Sequence, residues 1–280
     1  MSLLALAQTT TTSDVDHNLA QALDMVEQAA AAGASLLAFP EVFLFIGDRK
    51  TRLALAETID PGPAAAGGGP LLGRFREAAA ARGMHILLGS MYEKVPGNPE
   101  RAYNTSVLLG PDGSVLARYR KINLFAVNLG ELSIQESEVI MPGENLPPVV
   151  PTPLGRVGLT VCFDLRFPAL FQHLARQGAE VIFVPSNFTA ATGKAHWEVL
   201  LRARAVETQC WVAAPAQTGR HNPQYSSWGH TALVDPWGNI TALAPEEPGL
   251  VYGEIDLEYL RRIRRELPLG LTAENSRRDG

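Results

Sequence analysis

The sequence predicts an α/β protein of two similar halves, with two sheets packed face to face and helices outside. Three observations predict it. Strand-like and helix-like patterns alternate along the chain, as they do where sheets and helices form separate layers. The alternation runs twice in the same order. Short stretches of the two halves also match: AAAAGASLLAFPE resembles ARQGAEVIFVPS, and NTSVLLGPDGSVLARY resembles HTALVDPWGNITALAP.

The first half opens with a strand over residues 3–8 and a helix over 16–32. Leu19, Leu23, Val26 and Ala30 recur there at helical spacing. Asp14 or Asp16 can cap that helix, and Gly33 stops it. A strand over 35–39, a helix over 71–82 and a strand over 85–89 come next. A strand pair then turns at Pro111-Asp112-Gly113. The second half repeats the pattern: strand 157–162, helix 168–177, strand 180–184, helix 195–208, strand 210–214. Its strand pair turns at Pro236-Trp237-Gly238, and Gly178 plays the part of Gly33. Residues 61–70 read as a loop, and 128–146 as a second long irregular segment of the kind that often carries function. Arg261, Arg262, Arg264 and Arg265 read as the wet face of a late helix. No linker divides the halves, so residues 1–280 are expected to form one domain, with a tail from about 269.

The bulk numbers exclude several classes. The chain has 280 residues with 24 basic and 29 acidic side chains, a formal net charge of −5, and no basic stripe of the kind nucleic-acid binding requires. Two cysteines, Cys162 and Cys210, make no disulfide framework. The opening MSLLALAQ lacks a basic n-region and reads as a strand, not a signal peptide. No apolar run reaches the ~18 residues of a membrane span. The expectation is a protein of the reducing cytoplasm with no nucleic-acid or membrane partner. Neither the cysteines nor the histidines have metal-ligand spacing, so no metal and no cofactor are expected.

Chemistry concentrates in a few places. Cys162 ends an apolar strand in RVGLTVCFDLRFP, just before Pro168 opens a helix. A thiol facing a helix N-terminus can be depressed in pKa and act as thiolate, although a buried structural thiol is the commoner fate. Cys210, in TQCWVAA, lacks that setting and reads as core. A cysteine nucleophile needs a proton acceptor. None of the six histidines lies in a papain-type or caspase-type frame, and there is no G-x-S-x-G elbow. Glu41, in LLAFPEVF, is a carboxylate among apolar neighbours, where desolvation suits proton transfer; a strand-end Glu turned to solvent is the plain alternative. Lys121, in ARYRKINLF, and Glu136, in LSIQESEV, would each pass alone as surface charges.

Together FPE, YRKINLF, QES and VCFDLRFP, in this order, resemble the Glu–Lys–Cys set of the nitrilase superfamily with its second glutamate. The resemblance runs from the first strand to about Pro268; LTAENSRRDG fits the family poorly. It implies an αββα sandwich and an amidase. Cys162 would be the nucleophile, Glu41 the base, Lys121 the oxyanion cation and Glu136 the residue that orients Lys121 and substrate. Phe163 would add its backbone N–H to the oxyanion site. Within the superfamily AHWEVLLRARAVETQCWVAAPAQTGRHN is similar to the Nit branch that hydrolyses deaminated glutathione to 2-oxoglutarate and cysteinylglycine. Alternatives are the omega-amidases acting on 2-oxoglutaramate, nitrilases and N-carbamoyl hydrolases, and an inactive scaffold relative. Arg166, in CFDLR, suits a carboxylate clamp; a structural pair with Asp164 is the other reading. Phe188 and His196 are expected to wall the pocket. The resemblance also implies a homodimer or higher homo-oligomer through the helices after the nucleophile.

Overall fold

The computed structural model describes residues 2–63, 68–129 and 132–270. Four residues of the first predicted loop, two of the second irregular segment, and the tail from 271 lie outside the described residues.

Strand β1 (Ser2–Gln8) leads through α1 (Val15–Ala31) to β2 (Leu36–Ala38), then through α2 (Arg49–Ala54) and α3 (Pro70–Arg82) to β3 (His85–Val95), β4 (Asn98–Leu109) and β5 (Val115–Arg120). A small hairpin, β6 (Ala126–Leu129) and β7 (Leu132–Gln135), comes next. The second half runs β8 (Val149–Thr152), β9 (Gly155–Leu159), α4 (Pro168–Arg176), β10 (Val181–Phe183), α5 (Ala190–Thr208) and β11 (Trp211–Ala214). It closes with the hairpin β12 (Thr218–Asn222) and β13 (Tyr225–Trp228), then β14 (Ala232–Val234), β15 (Ile240–Leu243), β16 (Gly249–Ile255) and α6 (Leu257–Glu266).

Two six-stranded sheets form, in the orders β16-β1-β2-β3-β4-β5 and β15-β14-β11-β10-β9-β8. The repeat read in the sequence is therefore a topological one. β1, β2 and β3 run parallel, as do β9, β10 and β11. In each half an antiparallel pair joined by the Pro-X-Gly turn extends the sheet.

The strand period of two sets the layers. Leu4, Leu6, Leu36, Ala38 and Leu87 join the core that contains the second sheet and the inner faces of α4 and α5. The alternate residues Ala5, Ala7, Leu37, Phe39 and Leu88 pack with Ala22, Val26, Leu72 and Phe75 of α1 and α3. The result is the expected αββα sandwich.

Several boundaries differ from the sequence reading. Helix α5 begins at Ala190 rather than 195, because the Thr189 side chain caps it by accepting from Thr192 N–H. The segment 128–146 is not wholly irregular, since β6 and β7 pair within 126–135. Arg264 is not on a wet face: it is buried, and its guanidinium donates to the carbonyls of Gln209 and Ala179 where α6 packs on the second sheet. β9 ends at Leu159, three residues short of Cys162, which instead opens a 3₁₀ turn, Cys162–Arg166.

Candidate active site

The site lies beyond the C-terminal ends of the parallel strands, the usual place for ligands in α/β sheets. Glu41 lies just after β2, and Cys162 just after β9 of the opposite sheet. Lys121 comes directly after β5, Asn104 sits within β4, and Glu136 opens the turn after β7. All five line one cavity of about 510 Å³.

Backbone geometry aims the two key side chains. Cys162 has φ +47 and Val42, directly after Glu41, has φ +48. Left-handed backbone is uncommon for non-glycine residues and a real outlier for a β-branched one. Such strain persists only where surroundings over-determine it. Here the Val42 N–H donates to Ser90 Oγ, and the Glu41 carbonyl accepts from Gln217 Nε2. The Cys162 N–H donates to the Pro185 carbonyl.

The charges form a compact, dry cluster. Lys121 Nζ lies 2.8 Å from Glu41 Oε1 and 2.8 Å from Glu136 Oε2. The lysine side chain is 1% exposed, and the carboxylates are 7% and 13% exposed. Burial alone would lower the Lys121 pKa, but Glu136 and Glu41 outweigh it and hold the group well above the ordinary value. Burial works to raise Glu136, but the Lys121 charge and its hydrogen bonds, with those from Phe125 N–H and Asn104, hold it below the usual carboxylate range. An ammonium has three N–H donors, and two are committed here. The third is free for a developing negative charge.

Cys162 differs from its sequence expectation. Burial, then the Glu41 charge, push its thiol well above the ordinary value. It is a protonated thiol, not a preformed thiolate. Glu41 Oε1 already accepts from Lys121 and from Asn104, so Oε2 is left for the thiol.

Two supporting residues were not foreseen. Asn104, 2% exposed, donates from Nδ2 to Glu41 Oε1 at 2.9 Å and to Glu136 Oε1 at 3.0 Å. It bridges the two carboxylates opposite Lys121. Asp164 accepts from Val161 N–H, Tyr119 Oη and Asn123, tying the cysteine turn to the end of β5 that carries Lys121.

Arg166 lines the cavity and does not pair with Asp164, whose oxygens are taken. Its guanidinium lies over the rings of Phe163 and Phe188, 5.7 and 5.2 Å from their centroids. Phe163 and Phe188 both line the cavity. His196 does not; it is exposed, and its Nδ1 lies 3.3 Å from Arg166 Nη1. Cys210 is fully buried outside the cavity, its thiol directed at the Ala179 carbonyl. Among the described residues no group of three or more His, Cys, Asp or Glu side chains is placed to hold a metal.

The fold and the sequence as a whole are matched by known proteins. The family model "Carbon-nitrogen hydrolase" matches residues 3–265. The chain belongs to the carbon–nitrogen hydrolase family. It is 44% identical over 273 residues to the deaminated glutathione amidase of Homo sapiens, covering 96% of this chain and 81% of that one. Saccharomyces cerevisiae Nit3, a member of branch 10 of the nitrilase superfamily, superposes with a TM-score of 0.85 at 30% identity, covering 96% of this chain and 94% of that one. A mutant amidase from Nesterenkonia sp. AN1, with acrylamide added at its active-site cysteine, superposes with a TM-score of 0.76 at 29% identity, covering 95% and 98%. The protein is a hydrolase acting on amides.

Proposed function

We propose that this chain hydrolyses the amide of deaminated glutathione, giving 2-oxoglutarate and cysteinylglycine through a thioester on Cys162. The observation that carries the chemistry is the Glu41–Lys121–Glu136 cluster, held in one cavity with the Cys162 thiol. The identity to deaminated glutathione amidases supports the choice of substrate.

Glu41 takes the thiol proton as Cys162 Sγ attacks the amide carbon. The tetrahedral oxyanion meets the third N–H of Lys121 and the backbone N–H of Phe163, an early N–H of its turn and so without an intrahelical partner. Donors of this kind are worth about 3 kcal/mol each in the transition state. Glu41 returns the proton to the leaving amine and the C–N bond breaks. Glu41 then takes a proton from water, the hydroxide attacks the thioester, and the thiol leaves with its proton restored. Glu136 and Asn104 orient Lys121 and Glu41. Arg166, charged and unpaired by any carboxylate among the described residues, receives the 2-oxo acid, with Phe163 and Phe188 walling it.

Two free buried thiols suit a reducing cytoplasm. Phe167, Val199 and Val206, exposed on the layer after the nucleophile, suit a homodimer or higher oligomer.

The test is turnover of deaminated glutathione, 2-oxoglutaramate, a simple nitrile and an N-carbamoyl amino acid by one preparation, with Cys162→Ala as control. The highest kcat/KM is expected for deaminated glutathione, with a thioester mass on the wild type and none on the variant. A preference for another substrate would replace the substrate reading. Undiminished turnover by the variant would remove Cys162 from the chemistry.

A further inference from the structure

The cavity carries more cationic charge than the reaction at Cys162 uses. Arg49 and Arg52, both on α2, line it as well as Arg166. Arg49 is already engaged: its Nη2 donates to the Glu100 carbonyl at 3.0 Å and pairs with Glu100 Oε2 at 3.1 Å. Arg52 is not. Among the described residues its Nη2 reaches the Gly47 carbonyl alone, at 3.2 Å, and its guanidinium lies over Tyr92, 5.5 Å from the ring centroid. Its Nε is buried with no hydrogen-bond partner among the described residues. Among the described residues no carboxylate pairs with this guanidinium, although the residue lines the cavity. A guanidinium is always charged, and its planar fork matches a carboxylate.

Arg52 and Arg166 come to the cavity from different elements, α2 and the turn that Cys162 opens. Arg166 is walled by Phe163 and Phe188. Arg52 adjoins Tyr92, which lines the cavity with it. Glu138 also lines the cavity, but it is exposed, where solvent screens its charge.

We infer that Arg52 receives a carboxylate on the leaving-group side of the scissile amide, the free terminus of a departing dipeptide. This rests on the proposed function. Cysteinylglycine leaves with such a carboxylate, whereas the ammonia released from 2-oxoglutaramate has none. Arg52 is then a specificity-determining residue that separates long substrates from short ones sharing the same acyl end.

The experiment uses the full chain and three amides: deaminated glutathione, the same compound with its terminal carboxylate converted to a neutral glycinamide, and 2-oxoglutaramate. Wild type is expected to favour the free acid over the glycinamide by about tenfold or more in kcat/KM, the range of a hydrogen bond to a charged group. Arg52→Met should erase most of that preference through KM, and Arg52→Lys should recover part of it. Equal turnover of acid and glycinamide by wild type overturns the inference, and needs no variant to fold. So does an Arg52→Met variant that lowers both by one factor. Wild type that processes 2-oxoglutaramate but not deaminated glutathione overturns the substrate reading itself, and this inference with it.

Discussion

Replacing Asn104 by aspartate exchanges one amide NH₂ for one oxygen and leaves the shape of the side chain almost unchanged. In the native protein that NH₂ donates to Glu41 at 2.9 Å and to Glu136 at 3.0 Å. Hydrogen bonds to charged groups contribute about 1.5–3 kcal/mol each. A third ionised carboxylate would stand ~3 Å from the other two, and at an effective dielectric of ~20 each contact would repel by about 5 kcal/mol. The new carboxyl therefore holds its proton to unusually high pH. Its single O–H can serve only one of the two carboxylates, so one bond is lost even in the best case. The expected loss in kcat/KM for the amide substrate is roughly 10² to 10³ at neutral pH, as 3–4 kcal/mol on the barrier demands. The sign with pH is fixed: the protonated form is the better mimic of asparagine, so the deficit relative to wild type shrinks as pH falls and grows as pH rises. Asn104→Leu removes the donor without adding charge, and its deficit should be independent of pH. The assay is kcat/KM against pH for wild type and both variants, with folding checked by circular dichroism. An Asn104→Asp variant within about threefold of wild type across the range, or a deficit flat with pH, would refute the bridging role.

Three further outcomes are expected from the geometry. Lys121→Met leaves Glu41 and Glu136 buried without their cation, and breaking a buried ion pair is destabilising by about 3–5 kcal/mol; the variant should lose activity and a large part of its denaturation free energy, and an unchanged midpoint would mean the cluster relaxes by taking up a proton. In Gly89→Ala the added Cβ would overlap the Phe39 carbonyl oxygen and stand 2.6 Å from Pro185 Cβ; since Pro185 holds the Cys162 N–H and Phe39-Pro40 leads into Glu41, kcat should fall more than tenfold, as misplaced reacting groups demand, and normal kcat would show that the sandwich yields there without cost. His221 is half-buried, and burial lowers its pKa despite the Thr11 carbonyl on Nδ1; it is neutral in the fold, so its contribution is complete above the ordinary pKa of ~6.5 and is lost as pH falls. Melting temperature should drop on acidification through that region, and His221→Gln should flatten the drop; equal slopes would assign acid sensitivity elsewhere.

Legibility in the sequence runs along physical lines. The doubled strand–helix order is readable because each element has to bury one face, and the periods of 2 and 3.6 are written in single residues such as Leu19, Leu23 and Val26. The four motif residues are readable by resemblance, not by local pattern: Lys121 in YRKINLF has nothing nearby to say that it is 1% exposed. Asn104 is invisible for the same reason. It sits inside an alternating strand, and only the fold turns it toward Glu41 from 63 residues away. Arg52 in DRKTRLALAE reads as an ordinary helix-surface cation, and its orphaned Nε is a tertiary fact. The thiol departs from its expected ionisation because a helix start is only the local part of its environment. Burial and the Glu41 carboxylate, both brought to Cys162 by the fold, reverse the sign. The early start of α5 is legible locally, since Thr189 stands where a capping residue belongs.

That reversal makes the proposed chemistry more coherent. A site with a stable thiolate beside Glu41 would hold two adjacent anions in a low-dielectric cavity, and neither would spare the other a desolvation penalty. With the thiol protonated, the cluster of Glu41, Glu136 and Lys121 carries one net negative charge. Moving the proton from Cys162 to Glu41 leaves that total unchanged and only shifts the charge, from the carboxylate to the sulfur and on to the carbonyl oxygen. Lys121 stands at both ends of the path. Its bond to Glu41 weakens as that carboxylate is neutralised, while its uncommitted N–H gains an anionic partner in the oxyanion. Glu136 stays charged throughout, held low by Lys121 and Phe125 N–H, and so keeps the ammonium in place while Glu41 changes protonation state. In the proposed mechanism one glutamate exchanges a proton with the thiol while the other keeps its charge, which would account for two carboxylates sharing a single lysine.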